Sequence, residues 1–412
     1  MVYHLSASEK RALRILQIGY VPLEKGGDSA GGIATHIWEL SAALRDSGHH
    51  VEILAHNRRG KDTVSDRIRV RHLAGGREAF LISLRARPSL SVMKAALASR
   101  GNWLKGLGKA YWVREVLNSA RPDLIHSHIP SFFFVPVARA LGYRGPVVLT
   151  VHSVHDITYG TSKRKDRARM RALFQDSMRL SEVIIAVHPH VLDEARGLGI
   201  SWDTPERVII NAVNPESFSL MPRCEARTRL GLPPDERIIL FSGVMTGRKG
   251  EQELIRAFSL IKENALLLMI GYGPKEPDAR ALVRELGLWE RVSLLGPVPR
   301  DRMALYYNAA DLFALPSHSE GFALSYIEAM LCGTPFLADR SIPAELVGPE
   351  NCVLVNSRDP ADIARGITDA LGRQWNRERI AEFGKRFAWG PGKLSEYLEV
   401  YEMARVGAGR SA

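Results

Sequence analysis

The sequence predicts two parallel α/β domains in succession, and three observations carry that expectation. A chain of 412 residues is too long for one ordinary core and suits two domains. Short, nearly continuous apolar runs alternate with helical patterns in both halves, as a sheet covered on both faces requires. Between the two series, "ERVIINAVNPESFSLMPR" (206–223) loses periodicity and gains Pro, Asn and Ser, which puts the junction there. The expected domains are 1–214 and 215–391, with a terminal helix over about 392–412 that packs back on the first.

The elements follow in order. "LRILQIG" (13–19) is an apolar strand running into the turn signals of "YVPLEKGGDSAGG". Ile33, Ile37, Leu40, Ala43 and Leu44 then share one stripe of a helix over 33–47, and "HHVEILAH" returns as a strand. The cycle repeats through strand 122–128, helix 131–141, strand "PVVLTVH", helix 164–180 and strand "EVIIAV". Residues 80–112 have helical stretches with basic residues, Trp103 and Trp112, and read as an excursion over the cleft. The second series runs "RIILFSG" (237–243), "ALLLMIGYG", "RVSLLG", "DLFALPS", "TPFLAD" and "CVLV", with a helical segment between each pair. After Asp359-Pro360 the pattern is helical almost to the end, broken at Trp389-Gly390-Pro391.

Composition excludes several classes. Apolar content of 45% with 25% charged residues fits a well-buried α/β protein. No run reaches the roughly 18 apolar residues of a spanning helix, and the polar N-terminus lacks the apolar stretch of a secretory signal, so a cytoplasmic protein is expected. Cys224, Cys332 and Cys352 have no paired or metal-type spacing. The net charge of +11 is uneven: residues 1–180 hold 29 Lys/Arg against 14 Asp/Glu. Solubility explains much of that excess; an anionic bilayer at the inner membrane face or an acidic acceptor is the sharper reading. Basic-aromatic interleaving, zinc fingers and helix-turn-helix signals are absent, so no nucleic-acid partner is expected.

"PSHSEGFALSYIEAM" (316–330) follows a strand, so Ser317 to Gly321 form the crest beyond its carboxyl end, where open α/β sheets bind ligands. Gly321 permits close backbone approach. A helix from about Phe322 presents unpaired N–H groups of Ala323, Leu324 and Ser325 to a phosphate, with Phe322 and Leu324 as walls. Glu328, about two turns deep, has only acceptor oxygens and suits a vicinal diol such as that of ribose, while Glu320 suits sugar hydroxyls beyond the phosphates. "GVMTGRKG" (243–250) brings Gly243 near the ligand and offers Arg248 and Lys249 to a diphosphate. It is not a triphosphate P-loop, because GxxxxGK[ST] is absent. "IGYGP" (270–274) adds a glycine turn at Gly273 suited to a base edge.

These pieces together resemble the retaining nucleotide-sugar glycosyltransferases of family 4, with the GT-B fold of two Rossmann-like domains facing across a cleft. "PSHSEGFALSYIEAMLCGTPFLAD" looks like that family's Glu-x7-Glu region. The resemblance implies that Glu328 holds the ribose diol, Glu320 contacts the donor sugar and Lys249 binds the diphosphate. The motif's arginine is absent because Val244 follows Gly243, and Arg248 is the candidate substitute.

In the first domain the same resemblance extends to the glycine loop, whose Gly31 and Gly32 can bring amides to the donor, and to "DLIHSH" (123–128). His152 of "TVHSVHD" matches a histidine that contacts the donor sugar, and His128, His155 and Asp156 are acceptor-side candidates. His126, His128, His152 and His155 lack a metal-type set, so no metal is assigned and hydrogen-bonded interior or rim histidines are expected. The implied activity is transfer of a hexosyl or N-acetylhexosaminyl group from a nucleotide diphosphate sugar, with a UDP-sugar ranked ahead of a GDP-sugar and no tightly bound cofactor. The acceptor is a small specialised metabolite or a lipid-linked hydroxyl, and the oligomeric state is not legible. A phosphorylase or sugar-nucleotide epimerase of the same fold, and a non-catalytic nucleotide-sugar binding protein, remain open readings.

Overall fold

The computed structural model describes residues 11–25, 27, 31–55, 62–72, 90–99, 103–128, 133–154 and 164–410. Two compact units divide the chain: Met1–Ser29, Ile33–Ile209 and Pro391–Ala412 form one, and Ala30–Gly32 with Ile210–Gly390 the other.

In the first unit β1 (Arg14–Gly19) leads to α1 (Gly32–Asp46), β2 (His50–Ala55), β3 (Thr63–Ser65) and β4 (Ile68–His72). Helices α2 (Leu90–Ala98) and α3 (Trp103–Ala120) occupy part of the excursion region. Then come β5 (Leu124–His128), α4 (Phe134–Ala140), β6 (Val147–Val151), α5 (Arg164–Arg179), β7 (Val183–Ala186), α6 (Pro189–Gly197) and β8 (Glu206–Val208). Among the described residues the sheet order is β3-β4-β2-β1-β5-β6-β7-β8, parallel except for the β3–β4 pair. Central β1 is buried over residues 15–19, and Gln17 is the polar residue in that run.

The second unit runs α7 (Arg223–Leu230), β9 (Arg237–Ser242), α8 (Glu251–Ser259), β10 (Ala265–Ile270), α9 (Glu276–Glu285), β11 (Val292–Gly296), α10 (Arg300–Ala309) and β12 (Leu312–Leu315). It continues with α11 (Leu324–Leu331), β13 (Phe336–Asp339), β14 (Cys352–Val355), α12 (Pro360–Gly372) and α13 (Arg377–Gly384). Its sheet is wholly parallel with order β11-β10-β9-β12-β13-β14. Chain order reverses between β9 and β12, so the crevice at their carboxyl ends is the topological switch point of this unit. The last helix, α14 (Pro391–Arg410), belongs to the first unit and packs against β6 and β7.

Asp311 is the electrostatic hub of the second sheet. Its Oδ2 accepts from Arg227 Nη2 at 2.7 Å and from the Ile238 amide at 2.7 Å, while Arg223 and Arg237 lie at 3.1 and 3.4 Å from Oδ1. Arg227 Nε also donates to Ala309 O, so one buried carboxylate ties α7, α10, β9 and β12 together. Removing it leaves a buried guanidinium uncompensated. Asp311→Ala is therefore expected to cost about 3–5 kcal/mol, read as a lower denaturant midpoint at unchanged m-value; a loss under about 1 kcal/mol, the scale of a surface pair, would refute the hub.

Candidate active site

The switch point of the second unit is built from three strand ends. Beyond β9, Gly243 rests against the Lys249 stem, where an added Cβ would meet Lys249 Cγ at 3.7 Å. Gly250 has φ +71° and its missing Cβ would stand 2.1 Å from Pro316 O, so only glycine lets this loop abut the end of β12. Beyond β10, the Met245 amide donates to Tyr272 O at 2.9 Å, and the Lys275 amide donates to Met245 O at 3.0 Å. Gly273 fits under that pair because a Cβ there would lie 2.2 Å from Met245 O. The "GVMTGRKG" and "IGYGP" turns are thus one knitted surface.

Lys249 and Glu320 meet across it. Lys249 Nζ forms an ion pair with Glu320 Oε1, and Arg248 Nη1 lies 3.5 Å from Oε2 and donates to Ser319 O. Ser317 Oγ donates to Arg248 O at 3.2 Å, fixing the crest from the other side. Burial alone would push the Glu320 carboxyl up, but Lys249 and Arg248 outweigh it and hold it below the usual carboxylate range. The site is therefore an ionised cluster of one carboxylate and two cations, the charge balance a diphosphate can join.

The helix after this loop differs from the sequence expectation. It starts at Leu324 rather than near Phe322: Ala323 is extended (ψ 119°) and supplies no side-chain cap. Phe322 instead packs on Phe387, with ring centroids 5.9 Å apart, and its carbonyl accepts from Asn211 Nδ2 at 3.3 Å. Gly321 stays in the loop, and Leu324 and Ser325 open the helix. Glu328 is therefore the fifth helical residue, little more than one turn inside rather than two. Its two oxygens are held: Arg300 Nη1 donates to Oε1 at 2.7 Å, and the Tyr307 hydroxyl donates to Oε2 at 2.9 Å. Ser242 Oγ lies 3.0 Å from the Tyr307 hydroxyl, so the carboxylate is wired back to the end of β9. Each carboxylate oxygen has a second lone pair, which leaves acceptor capacity for a diol.

In the first unit, His128 ends β5 and His152 follows β6, so parallel pairing brings them side by side, His128 Nδ1 to His152 Nε2 at 3.0 Å. His36 of α1 joins them, with ring centroids 5.2 Å from His152 and 5.9 Å from His128. One nitrogen from each of these three lies within 4.8 Å of the others. His126 adds a fourth ring, 4.2 Å from His128. Burial lowers all four well below the ordinary histidine range, His36 to about 3, with Lys393 contributing at His36 and neighbouring imidazoles at the others. Gly32 opens α1 and Gly31 precedes it. His155 and Asp156 lie outside the described residues.

Two family models now bear on this geometry. "Glycosyl transferases group 1" matches residues 223–387 and "Glycosyltransferase Family 4" matches residues 30–217. The chain is a GT-B glycosyltransferase. An uncharacterized glycosyltransferase of Methanocaldococcus jannaschii is 28% identical, covering 96% of this chain and 100% of its own. The D-inositol 3-phosphate glycosyltransferase of Xylanimonas cellulosilytica is also 28% identical, over 95% of this chain and 96% of its own. Among solved structures, sucrose-phosphate synthase from Thermosynechococcus elongatus superposes with a TM-score of 0.76 at 22% identity, over 95% and 98% of the two chains. HepE of Anabaena, determined in complex with UDP and glucose, gives 0.69 at 18% identity over 95% and 99%. The activity is transfer of a sugar from a nucleotide-diphosphate-sugar donor to an acceptor.

Sequence reasoning about this glycosyltransferase overlooked Arg300, Tyr307, Ser242 and the imidazole partners Gln17, His36 and Tyr401. Arg300 carried a usable signal. It is the first residue of α10, a place where the helix dipole disfavours a cation, and a broken local rule marks a site. The four imidazoles have a measurable consequence. The folded glycosyltransferase keeps them neutral, whereas the unfolded chain protonates its histidines near pH 6.5. Stability is therefore complete above that pH and falls as the pH drops through it toward the folded values, about 3 for His36. Each imidazole contributes up to about 1.4 kcal/mol per pH unit. Denaturation midpoints from pH 8 to 5 should decline below about 6.5, and His126→Gln should flatten the decline; a flat wild-type profile would contradict neutral burial.

Proposed function

We propose that the second unit seats the diphosphate of a UDP-hexose or UDP-N-acetylhexosamine at its switch point and that transfer proceeds with retention. The observation that carries this reading is the meeting of Lys249 and Glu320, from the loops after β9 and β12, beside a Glu328 held by Arg300 and Tyr307. Lys249 and Arg248 face the diphosphate, aided by the amides of Leu324 and Ser325, whose helix has no side-chain cap. Glu328 accepts from the ribose diol. Glu320 accepts from the donor sugar once the phosphates draw the cations toward themselves. Gly243, Gly273, Gly321, Phe322 and Ala323 shape the backbone around the donor, and the amides of Gly31 and Gly32 are assigned to it as well. The UDP and glucose named for the Anabaena structure support the choice of base.

The reaction follows from charge. The anomeric C–O bond to the diphosphate breaks, its electron pair stays on the phosphate oxygen, and the ring gains oxocarbenium character. Lys249 and Arg248 stabilise the growing negative charge more than they stabilise bound donor. The acceptor oxygen bonds to the anomeric carbon on the vacated face, and its proton passes to the departing phosphate. His152 hydrogen-bonds a hydroxyl of the transferred sugar, and His128, with both ring nitrogens spent on Gln17 and His152, stands behind it rather than against the acceptor. A small cyclitol-type acceptor is supported by the name of the Xylanimonas relative.

Two substitutions test the donor site. Glu328→Ala should weaken UDP binding about tenfold or more, a cost of about 1.4 kcal/mol, by calorimetry. Lys249→Ala should lower kcat about 100-fold at saturating substrates. Unchanged UDP affinity in the first, or wild-type turnover in the second, would remove that residue from the site.

A membrane-borne acceptor has its own support. On α2, Val92, Ala95 and Ala96 are buried while Leu90 (69%), Met93 (39%) and Leu97 (67%) are exposed beside Lys94. Arg169 of the basic helix α5 donates to Ser99 O at 3.3 Å and brings one cation to the end of α2. Such a surface suits an anionic bilayer. Co-sedimentation with phosphatidylglycerol vesicles should be lost in Leu90→Asp/Leu97→Asp and absent with phosphatidylcholine; equal binding to both lipids, or none, would discard this partner.

A further inference from the structure

Six side chains of the first unit form one unbroken hydrogen-bonded chain. Thr150 Oγ1 lies 2.7 Å from His126 Nε2, and His126 Nδ1 lies 2.8 Å from the Tyr401 hydroxyl. Gln17 Nε2 donates to that hydroxyl at 3.3 Å. Gln17 Oε1 lies 2.8 Å from His128 Nε2, and His128 Nδ1 lies 3.0 Å from His152 Nε2. All six are buried. Burial keeps the rings neutral, so each carries one N–H. Burial likewise raises the Tyr401 hydroxyl, which keeps its proton.

One proton per ring gives such a chain a single direction, and the amide of Gln17 sets it. Gln17 Oε1 can only accept, so His128 is protonated on Nε2. Its Nδ1 then offers a lone pair, so His152 must donate from Nε2. That leaves His152 Nδ1 unprotonated, and it is a buried nitrogen with no hydrogen-bond partner among the described residues. On the other side, Tyr401 accepts from Gln17 and donates to His126 Nδ1, whose Nε2–H donates to Thr150.

We propose that Gln17 is a positioning residue that, through His128, fixes His152 as the Nε2–H tautomer and so makes its Nδ1 a dedicated acceptor for a sugar hydroxyl. This deepens, and rests on, the proposed contact between His152 and the donor sugar. A fixed acceptor selects a hydroxyl that can donate at that carbon. A deoxy donor leaves the buried nitrogen unpaired and is rejected.

The test reads the tautomer directly. In the full-length wild-type protein with 15N-labelled histidine, long-range 1H–15N spectra should give a neutral Nε2–H ring for His152, assigned by its loss in His152→Gln. Gln17→Met should mix the two tautomers there and lower kcat/KM about tenfold with UDP affinity unchanged. A wild-type His152 protonated on Nδ1, a His152 tautomer indifferent to Gln17→Met, or one equivalent of metal on the His36, His128 and His152 nitrogens by elemental mass spectrometry would overturn the proposal. The wild-type spectrum decides even if a variant fails to fold. Full turnover in His152→Ala would instead defeat the sugar contact, because the spectrum needs no substrate.

Discussion

A carboxylate as enclosed as Glu320 stays ionised only because Lys249 and Arg248 stand against it. Taking a carboxylate out of water costs several kcal/mol after relaxation, and the attraction of two cations offsets it only at contact distance. The loops after β9 and β12 therefore cannot drift apart without stranding a buried charge. Gly250 makes the approach possible, since the Pro316 carbonyl occupies the space a side chain would need. The shape of the crest follows from that one ion cluster.

Not every buried carboxylate in this fold stands where open α/β sheets bind ligands, and position on the sheet separates the cases. Asp311 immediately precedes β12, at its amino end, and its acceptors are spent on Arg227, Arg223, Arg237 and the Ile238 amide. Glu320 lies beyond the carboxyl end of β12, and Glu328 is wired through Tyr307 and Ser242 to the carboxyl end of β9, with Arg248 and Arg300 each 25% exposed. A cation that solvent reaches is one that an incoming phosphate also reaches. Arg300 is further steadied 4.9 Å over the Phe218 ring, so it keeps its place at a helix start that disfavours it.

The fold was legible in the sequence because each strand is a short apolar run closed by a turn signal, and "RIILFSG", "ALLLMIGYG" and "DLFALPS" fall where strands form. The site was legible only in part. Glu320, Glu328 and Lys249 stand in local patterns that raise a question by themselves. Tyr307 does not: it is the second of two adjacent tyrosines on α10, and it reaches Glu328 because α10 packs against α11. The start of α11 was misplaced because Phe322 and Ala323 continue the apolar pattern. Burial of Phe322 against Phe387, a contact 65 positions away in sequence, overrides that pattern and keeps Ala323 extended. The imidazole chain was beyond reach altogether, since Gln17 and Tyr401 are 384 positions apart.

The two units solve opposite electrostatic problems. The second gathers ionised side chains into clusters at a switch point, which suits a diphosphate carrying full charge. The first buries neutral polar groups, four imidazoles with an amide and two tyrosine hydroxyls, which suits uncharged hydroxyls whose donors and acceptors must be matched one by one. Charge would be out of place there: a protonated imidazole in that core would face Lys393 and three other rings with no carboxylate among the charge partners that shift them. Proton position, rather than net charge, is the property such a cluster can hold fixed. A side-chain amide sets it well, because it presents a donor and an acceptor at once and titrates at neither.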